Sequence, residues 1–284
     1  MEFILFILLG STIGILSGFF GIGGGIILTP LLLILGYPPS TAIVLSLLLT
    51  LGSTVTGTVS HMRLKNFHVR DALAVGLSGI VGSAVITPVV FWLEQRTGAD
   101  AMISALYIVL LTWFAIQFLK PPKRKPVEGH ITQANLYKLI VIGFAAGILS
   151  SLMGVSGGFL LTPLLMGWVR FPLKQAIGTS IASATLIVLG GVTSYLASGT
   201  EAPLYLGIAL IVGAFIGSPI GASLLHLFED RFVRKSLGIF YAVVAVSVVL
   251  KVLEQETGSL ILLGIFTIGL LLLFFYQKVR SRHS

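Results

Sequence analysis

Apolar residues follow one another in long unbroken runs along this chain, rather than alternating as in a half-buried strand or keeping to one helical stripe. Ala101–Leu119 and Ser259–Tyr276 each run about 18 residues or more without a charge, enough for a helix to cross a hydrocarbon core of about 30 Å. The breaks between runs predict helices at 3–19, 23–36, 41–61, 71–93, 102–119, 136–152, 156–169, 174–197, 203–227, 235–252 and 259–276. The longest polar link, Lys120 to Gln133, is rich in proline and charge, which bars a buried helix there. The pattern therefore divides the chain into a first membrane unit (1–119), a cytoplasmic linker (120–135), a second membrane unit (136–252) and a C-terminal helix with a basic tail (253–284).

Composition agrees. Of 284 residues, 56% are apolar and 10% charged, with a mean hydropathy of +1.04, whereas a soluble domain carries roughly 25% charge. The expected fold class is an all-α polytopic membrane protein. A membrane β-barrel would alternate. The absence of cysteine excludes disulfides and thiol chemistry, and the acidic second residue of the N-terminus is unlike a cleaved signal peptide.

The net charge of +8 could suggest a nucleic-acid partner, but its distribution argues otherwise. With the central link in the cytoplasm and the loops alternating outward from it, 16 of the 18 basic residues fall inside, leaving Arg96 and Lys251 outside. That is the positive-inside pattern of a plasma-membrane protein. It predicts an external N-terminus and a cytoplasmic C-terminus.

The chain also repeats itself. Positions 14–33 align with 147–166, and twelve of those 20 are identical, including Gly21, Gly24, Gly25, Thr29 and Pro30 opposite Gly154, Gly157, Gly158, Thr162 and Pro163. Weaker echoes place Gly57 opposite Gly191 and Gly82 opposite Gly217. Five segments separate the copies. The second copy then enters the membrane from the opposite face, an inverted-topology repeat of the kind that builds many secondary transporters, with an eleventh helix outside it.

Inside each copy a glycine cluster (Gly21, Gly23, Gly24 and Gly25; Gly154, Gly157 and Gly158) interrupts the apolar run. The piece from Ile26 to Gly36 is about 16 Å long, too short to span, so each hairpin is expected to re-enter or to use a broken helix. Non-helical backbone at that depth survives only inside protein or along a polar cavity. A helix that starts there points free N–H groups into the cavity and favours an anion. Pro30 and Pro163 each free an upstream carbonyl, which Thr29 and Thr162, or water, are placed to satisfy. A stripe of Ser46, Thr50, Ser53, Thr54 and Gly57 adds uncharged donors in the first unit, and Thr179, Ser180, Ser183, Gly191 and Ser194 form a sparser version in the second. Small and hydroxyl residues also serve as packing and interhelical glue, but two copies from opposite faces favour a substrate site. The expected substrate-binding set is therefore Gly21, Gly23, Gly24, Gly25, Thr29, Pro30, Ser46, Thr50, Ser53, Gly154, Ser156, Gly157, Gly158, Thr162, Pro163, Thr179, Ser180 and Ser183.

Charged residues can all be placed at segment ends, with Asp71, Arg63 and Glu201 nearest the membrane, and His61 and His226 read as interfacial. No nucleophile–base set, metal-ligand cluster or cofactor motif appears, and Gly21-Ile22-Gly23-Gly24 lacks the context of a phosphate-binding loop. The chain is not expected to be an enzyme. Its expected partners are the lipid bilayer and a small anionic substrate, without nucleic acid.

The doubled signature at Gly21–Leu32 and Gly154–Leu165 resembles the sulfite exporter TauE/SafE family of membrane transporters, over nearly the whole chain. The resemblance implies transport of a sulfur-containing anion: sulfite, thiosulfate or an organosulfonate such as sulfoacetate. Ser156 stands where the first copy has Gly23, so the half-sites need not be equivalent. An anion channel, or a carrier of a non-sulfur organic anion, remains the alternative.

Overall fold

The computed structural model describes residues 2–20, 23–63, 67–96, 99–120 and 134–280. Helices follow in chain order: α1 (Glu2–Phe20), α2 (Gly25–Ile34), α3 (Pro39–Arg63), α4 (Val69–Glu94), α5 (Ala99–Leu119), α6 (Leu136–Met153), α7 (Gly158–Leu164), α8 (Leu173–Ala197), α9 (Leu204–Leu224), α10 (Asp230–Val252) and α11 (Glu256–Arg280). Among the described residues, nine helices are long and apolar enough to cross a membrane, while α2 and the α7 segment are shorter. The all-α polytopic fold is as expected.

Several ends differ from the apolar runs. The last helices start at Asp230 and Glu256, a few residues before the runs do. Backbone hydrogen bonding carries a helix into the polar interface, where charged side chains cost little. In the other direction, the run 156–169 is not one helix: α7 stops at Leu164 and a π turn, Leu165–Val169, finishes it.

Packing rests on small residues, as expected where lipid removes the hydrophobic drive between helices. A Cβ on Gly10, Gly14 or Gly18 of α1 would press on Leu210, Ala214 or Ser218 of α9 in turn, so these helices run parallel at close range. Gly143 and Gly147 of α6 meet Val75 and Gly79 of α4 in the same way. The centre is a crossing of α3 and α8. Thr41 donates to the Glu201 carbonyl, Gly191 faces Leu47 and Gly57 faces Ile181, so the two helices run antiparallel. The pairings exchange between halves: α1 lies on α9 and α6 on α4, α3 on α9 and α8 on α4, while α5 meets α10. Helix α11 packs on α10 and α2.

Loop contacts sort the ends of the bundle. At one end the Tyr205 hydroxyl donates to Glu2, and Glu94 accepts from both the backbone and the side chain of Ser40. At the other, Lys138 donates to the Trp168 carbonyl and Arg234 to the Gln117 and Lys120 carbonyls. The basic side chains of this second group satisfy the last carbonyls of helices, where cations are favoured.

Candidate functional site

Glycine decides where each hairpin turns. Gly23 (φ +75°) and Gly24 lead into α2, whose first amide, Gly25 N–H, donates to Thr50 Oγ1 at 3.2 Å. Thr50 is near the middle of α3, so α2 begins deep in the bundle and runs outward over half its thickness. In the second hairpin α6 ends on Gly154 (φ +65°), and Gly157 (φ +69°) precedes α7. Ser156 Oγ accepts from Gly158 N–H at 3.2 Å, and Ser180 Oγ donates to the Gly158 carbonyl at 3.2 Å, fastening the start of α7 to α8.

The two turns touch. A Cβ on Gly25 would lie 1.7 Å from the Gly154 carbonyl oxygen, a distance no side chain tolerates. A Cβ on Gly23 would lie 2.6 Å from Ser156 Oγ, so aligned positions of the two copies meet face to face. Thr29 donates its hydroxyl to the Met153 carbonyl at 3.0 Å, and Tyr107 donates to the same oxygen. Thr29 therefore serves the other half of the chain rather than the carbonyl freed by Pro30.

Beside this meeting point two hydroxyls are buried without a partner among the described residues, Ser46 Oγ on α3 and Ser151 Oγ on α6; Thr179 Oγ1, further along α8, is unmet as well. Ser46 borders Gly154, and Ser151 faces Gly191 of α8. A buried hydroxyl left unmet costs about 1–3 kcal/mol, and each of these has a proton to offer. Other members of the stripe are spent locally. Ser53 and Thr54 donate to the Thr50 carbonyl of their own helix, and Ser183 to the Thr179 and Ala72 carbonyls.

Most of the expected site residues lie in or against the two turns and are buried: Gly23, Gly24, Gly25, Thr29, Pro30, Ser46, Thr50, Gly154, Ser156, Gly157, Gly158 and Ser180; Thr179 is buried elsewhere on α8. Thr162 is half-buried and Pro163 is exposed on the outer face of α7. Gly21 lies outside the described residues, as does the side chain of His226. Sequence reasoning missed Ser151, whose signal was a hydroxyl standing opposite Gly18 of the first copy. It also missed the buried Tyr107, Tyr195 and Tyr241, of which Tyr195 donates to the Ser151 carbonyl at 2.6 Å. Asp71 sits in the first turn of α4, as expected of a segment end. It is nevertheless only 5% exposed, and its Oδ2 has no partner among the described residues.

A many-spanned helical bundle with broken helices meeting at its centre defines the class: a multi-pass membrane transporter. The sequence profile of the family described as Sulfite exporter TauE/SafE matches residues 6–250, and the chain belongs to that family. Curated relatives carry the same general description. A "probable membrane transporter protein" of Methanocaldococcus jannaschii is 28% identical over 207 residues, 71% of this chain and 75% of the relative. One from Bacillus subtilis is 25% identical over 248 residues, covering 79% and 89%. One from Haemophilus influenzae is 28% identical over 271 residues, covering 87% and 98%. No solved structure matches the chain significantly.

Proposed function

We propose that this transporter moves a small sulfur-containing anion, such as sulfite, thiosulfate or an organosulfonate like sulfoacetate, across the plasma membrane. The two membrane units act as inverted repeats with the substrate between their broken hairpins. The antiparallel crossing of the counterpart helices α3 and α8, and the exchange of packing partners between halves, support the inverted reading. The orientation follows the basic residues: the end bearing Lys120, Lys138 and Arg234 faces the cytoplasm, and the N-terminus lies outside.

One observation carries the substrate reading. Beside the meeting of the two glycine turns, Ser46 and Ser151 present buried hydroxyl protons with no acceptor among the described residues. An oxyanion supplies acceptors in several directions at once. Recognition by neutral donors also leaves no fixed cation to hold the anion too tightly for release. The inside-negative potential favours anion exit by about 2.3 kcal/mol per charge per 100 mV, so export proceeds without a coupled cation.

The test is thermal unfolding of the purified protein with sulfite, thiosulfate, sulfoacetate or sulfate. A bound anion at 100 times its dissociation constant stabilises by about 2.7 kcal/mol. Stabilisation by at least one of the first three, well above sulfate and chloride, is expected. No stabilisation by any sulfur anion at millimolar concentration contradicts the reading.

A further inference from the structure

An inverted repeat relates two routes to the meeting of the turns, one from each end of the bundle, and here the two routes are unlike. On α3 the residues Thr50, Thr54, Thr58 and His61 fall on one helical face. That face runs from Thr50, which accepts from the first amide of α2, to the last turn before Arg63. The echo of Gly57 in Gly191 gives their counterparts on α8: Ala184, Val188, Val192 and Tyr195. Packing supports that register. A Cβ on Gly57 meets Ile181 and one on Gly191 meets Leu47, and the same offset pairs Leu47 with Ile181. The α3 face is polar throughout. The α8 face is apolar except for Tyr195, whose hydroxyl is tied to the Ser151 carbonyl.

Burial divides in the same way. Ala184, Val188, Val192 and Tyr195 are all buried. The last three join Leu47 and Leu48 of α3 and Val90 of α4 in an apolar cluster of their own. On the α3 face Thr50 and Thr54 are buried, but Thr58 and His61 are only half-buried. Their partial exposure is unlike exposure to lipid. Where α4 faces outward it carries large apolar side chains, Leu77, Val81, Val85 and Val89, whereas these positions carry a hydroxyl and an imidazole. A tight apolar constriction sheds water and blocks an ion, while a wall of hydroxyls stays wet.

We propose that this structure holds the transporter open towards the end of α3 that bears Arg63, with the Thr50–His61 face as the access path and the Val188–Val192–Tyr195 cluster as the shut gate of the opposite route. Thr54 donates to the Thr50 carbonyl, and Thr58 bonds the Ile181 carbonyl and Thr185 across the helix crossing. Their hydroxyls are thus already engaged, and they wet the path without making a second tight site on it. Opening the opposite route requires the apolar cluster to part. The inference rests on the inverted-repeat reading, which places the open end in the cytoplasm, and its test needs no substrate.

The chain has no cysteine of its own, so Thr58→Cys and Thr54→Cys can be compared with their counterparts Val192→Cys and Val188→Cys. Each variant is placed in nanodiscs, where both faces meet the buffer, and its labelling by a small sulfonate-bearing methanethiosulfonate reagent is timed. The reagent attacks the thiolate, which forms in water but not among packed apolar side chains. Thr58→Cys is expected to react about tenfold faster than Val192→Cys or more, and Thr54→Cys likewise against Val188→Cys, the factor that about 1.4 kcal/mol of opening cost imposes. The second pair decides the matter if a member of the first does not fold. A smaller or reversed ratio in either pair of folded variants overturns the assignment of path and gate. Failure of sulfite, thiosulfate and sulfoacetate to bind would refute the substrate reading and leave these ratios as they are.

Discussion

The two glycine hairpins share twelve of 20 aligned positions but live in different surroundings. The first is enclosed: α2 is a ten-residue helix against α3, α10 and α11, with Thr29 and Pro30 buried. The second lies open on one side. Its helix α7 has seven residues and passes into a π turn, and Pro163, Gly167 and Trp168 are exposed. Helices α10 and α11 both cover α2, whereas α7 packs on α6 and α8. The unmet hydroxyls are distributed unequally as well. Thr50 is engaged by the first amide of α2, whereas Ser46 and Ser151 lie against or just before Gly154 in the second turn. A duplicated motif therefore supplies two turns but not two equal surroundings, and the unmet hydroxyls lie on the side of the second.

The strongest way to break this comparison is at the contact between turns. Gly25→Ala puts a methyl 1.7 Å from the Gly154 oxygen, with backbone on both sides. Overpacking of this kind costs about 1–3 kcal/mol or more, and the variant is expected to lose anion-induced stabilisation together with several degrees of melting temperature. Gly157→Ala should do less. Its added methyl has ordinary room at 3.4 Å, and the cost is the left-handed backbone, about 1–2 kcal/mol. Gly264→Ala on α11 meets nothing within 4 Å and should leave binding unchanged. A Gly25→Ala protein that binds as well as Gly264→Ala would remove the contact from the account.

The hydroxyls sharpen the comparison at smaller magnitude. Ser46→Ala and Ser151→Ala each delete a buried group without a partner among the described residues, so the unliganded protein should hold or gain stability while anion affinity falls. Thr50→Val acts in the opposite sense. It strands the Gly25 amide and should destabilise the unliganded protein by about 1–3 kcal/mol. Melting curves with and without sulfite separate the two classes. Loss of unliganded stability in Ser46→Ala and Ser151→Ala would show that those hydroxyls are structural.

The long spans were legible because lipid leaves a chain no alternative to satisfying its backbone internally, and charge-free runs such as Ala101–Leu119 have no second interpretation. The short hairpins were legible from helix-breaking residues inside apolar runs. The meeting of the two turns was not. It depends on how α3 crosses α8, a tertiary fact for which the aligned Gly57 and Gly191 were only a trace. The split between useful and spent hydroxyls was equally hidden: Ser53 and Ser46 look alike on a helical wheel, but one donates to its own helix and the other finds nothing. The burial of Asp71 follows from its surroundings, since α6 and α8 pack on α4, whereas position along the run showed only that it lies near an end.

The most direct test of the central claim is counterflow in proteoliposomes. Vesicles preloaded with unlabelled sulfite, thiosulfate or sulfoacetate are diluted into a trace of the same labelled anion at equal pH and clamped potential. A carrier that holds its anion between two alternating hairpins predicts transient accumulation of label that depends on the internal anion and disappears in Gly25→Ala. Label entry that ignores the internal anion, or no entry of any of the three, would contradict it.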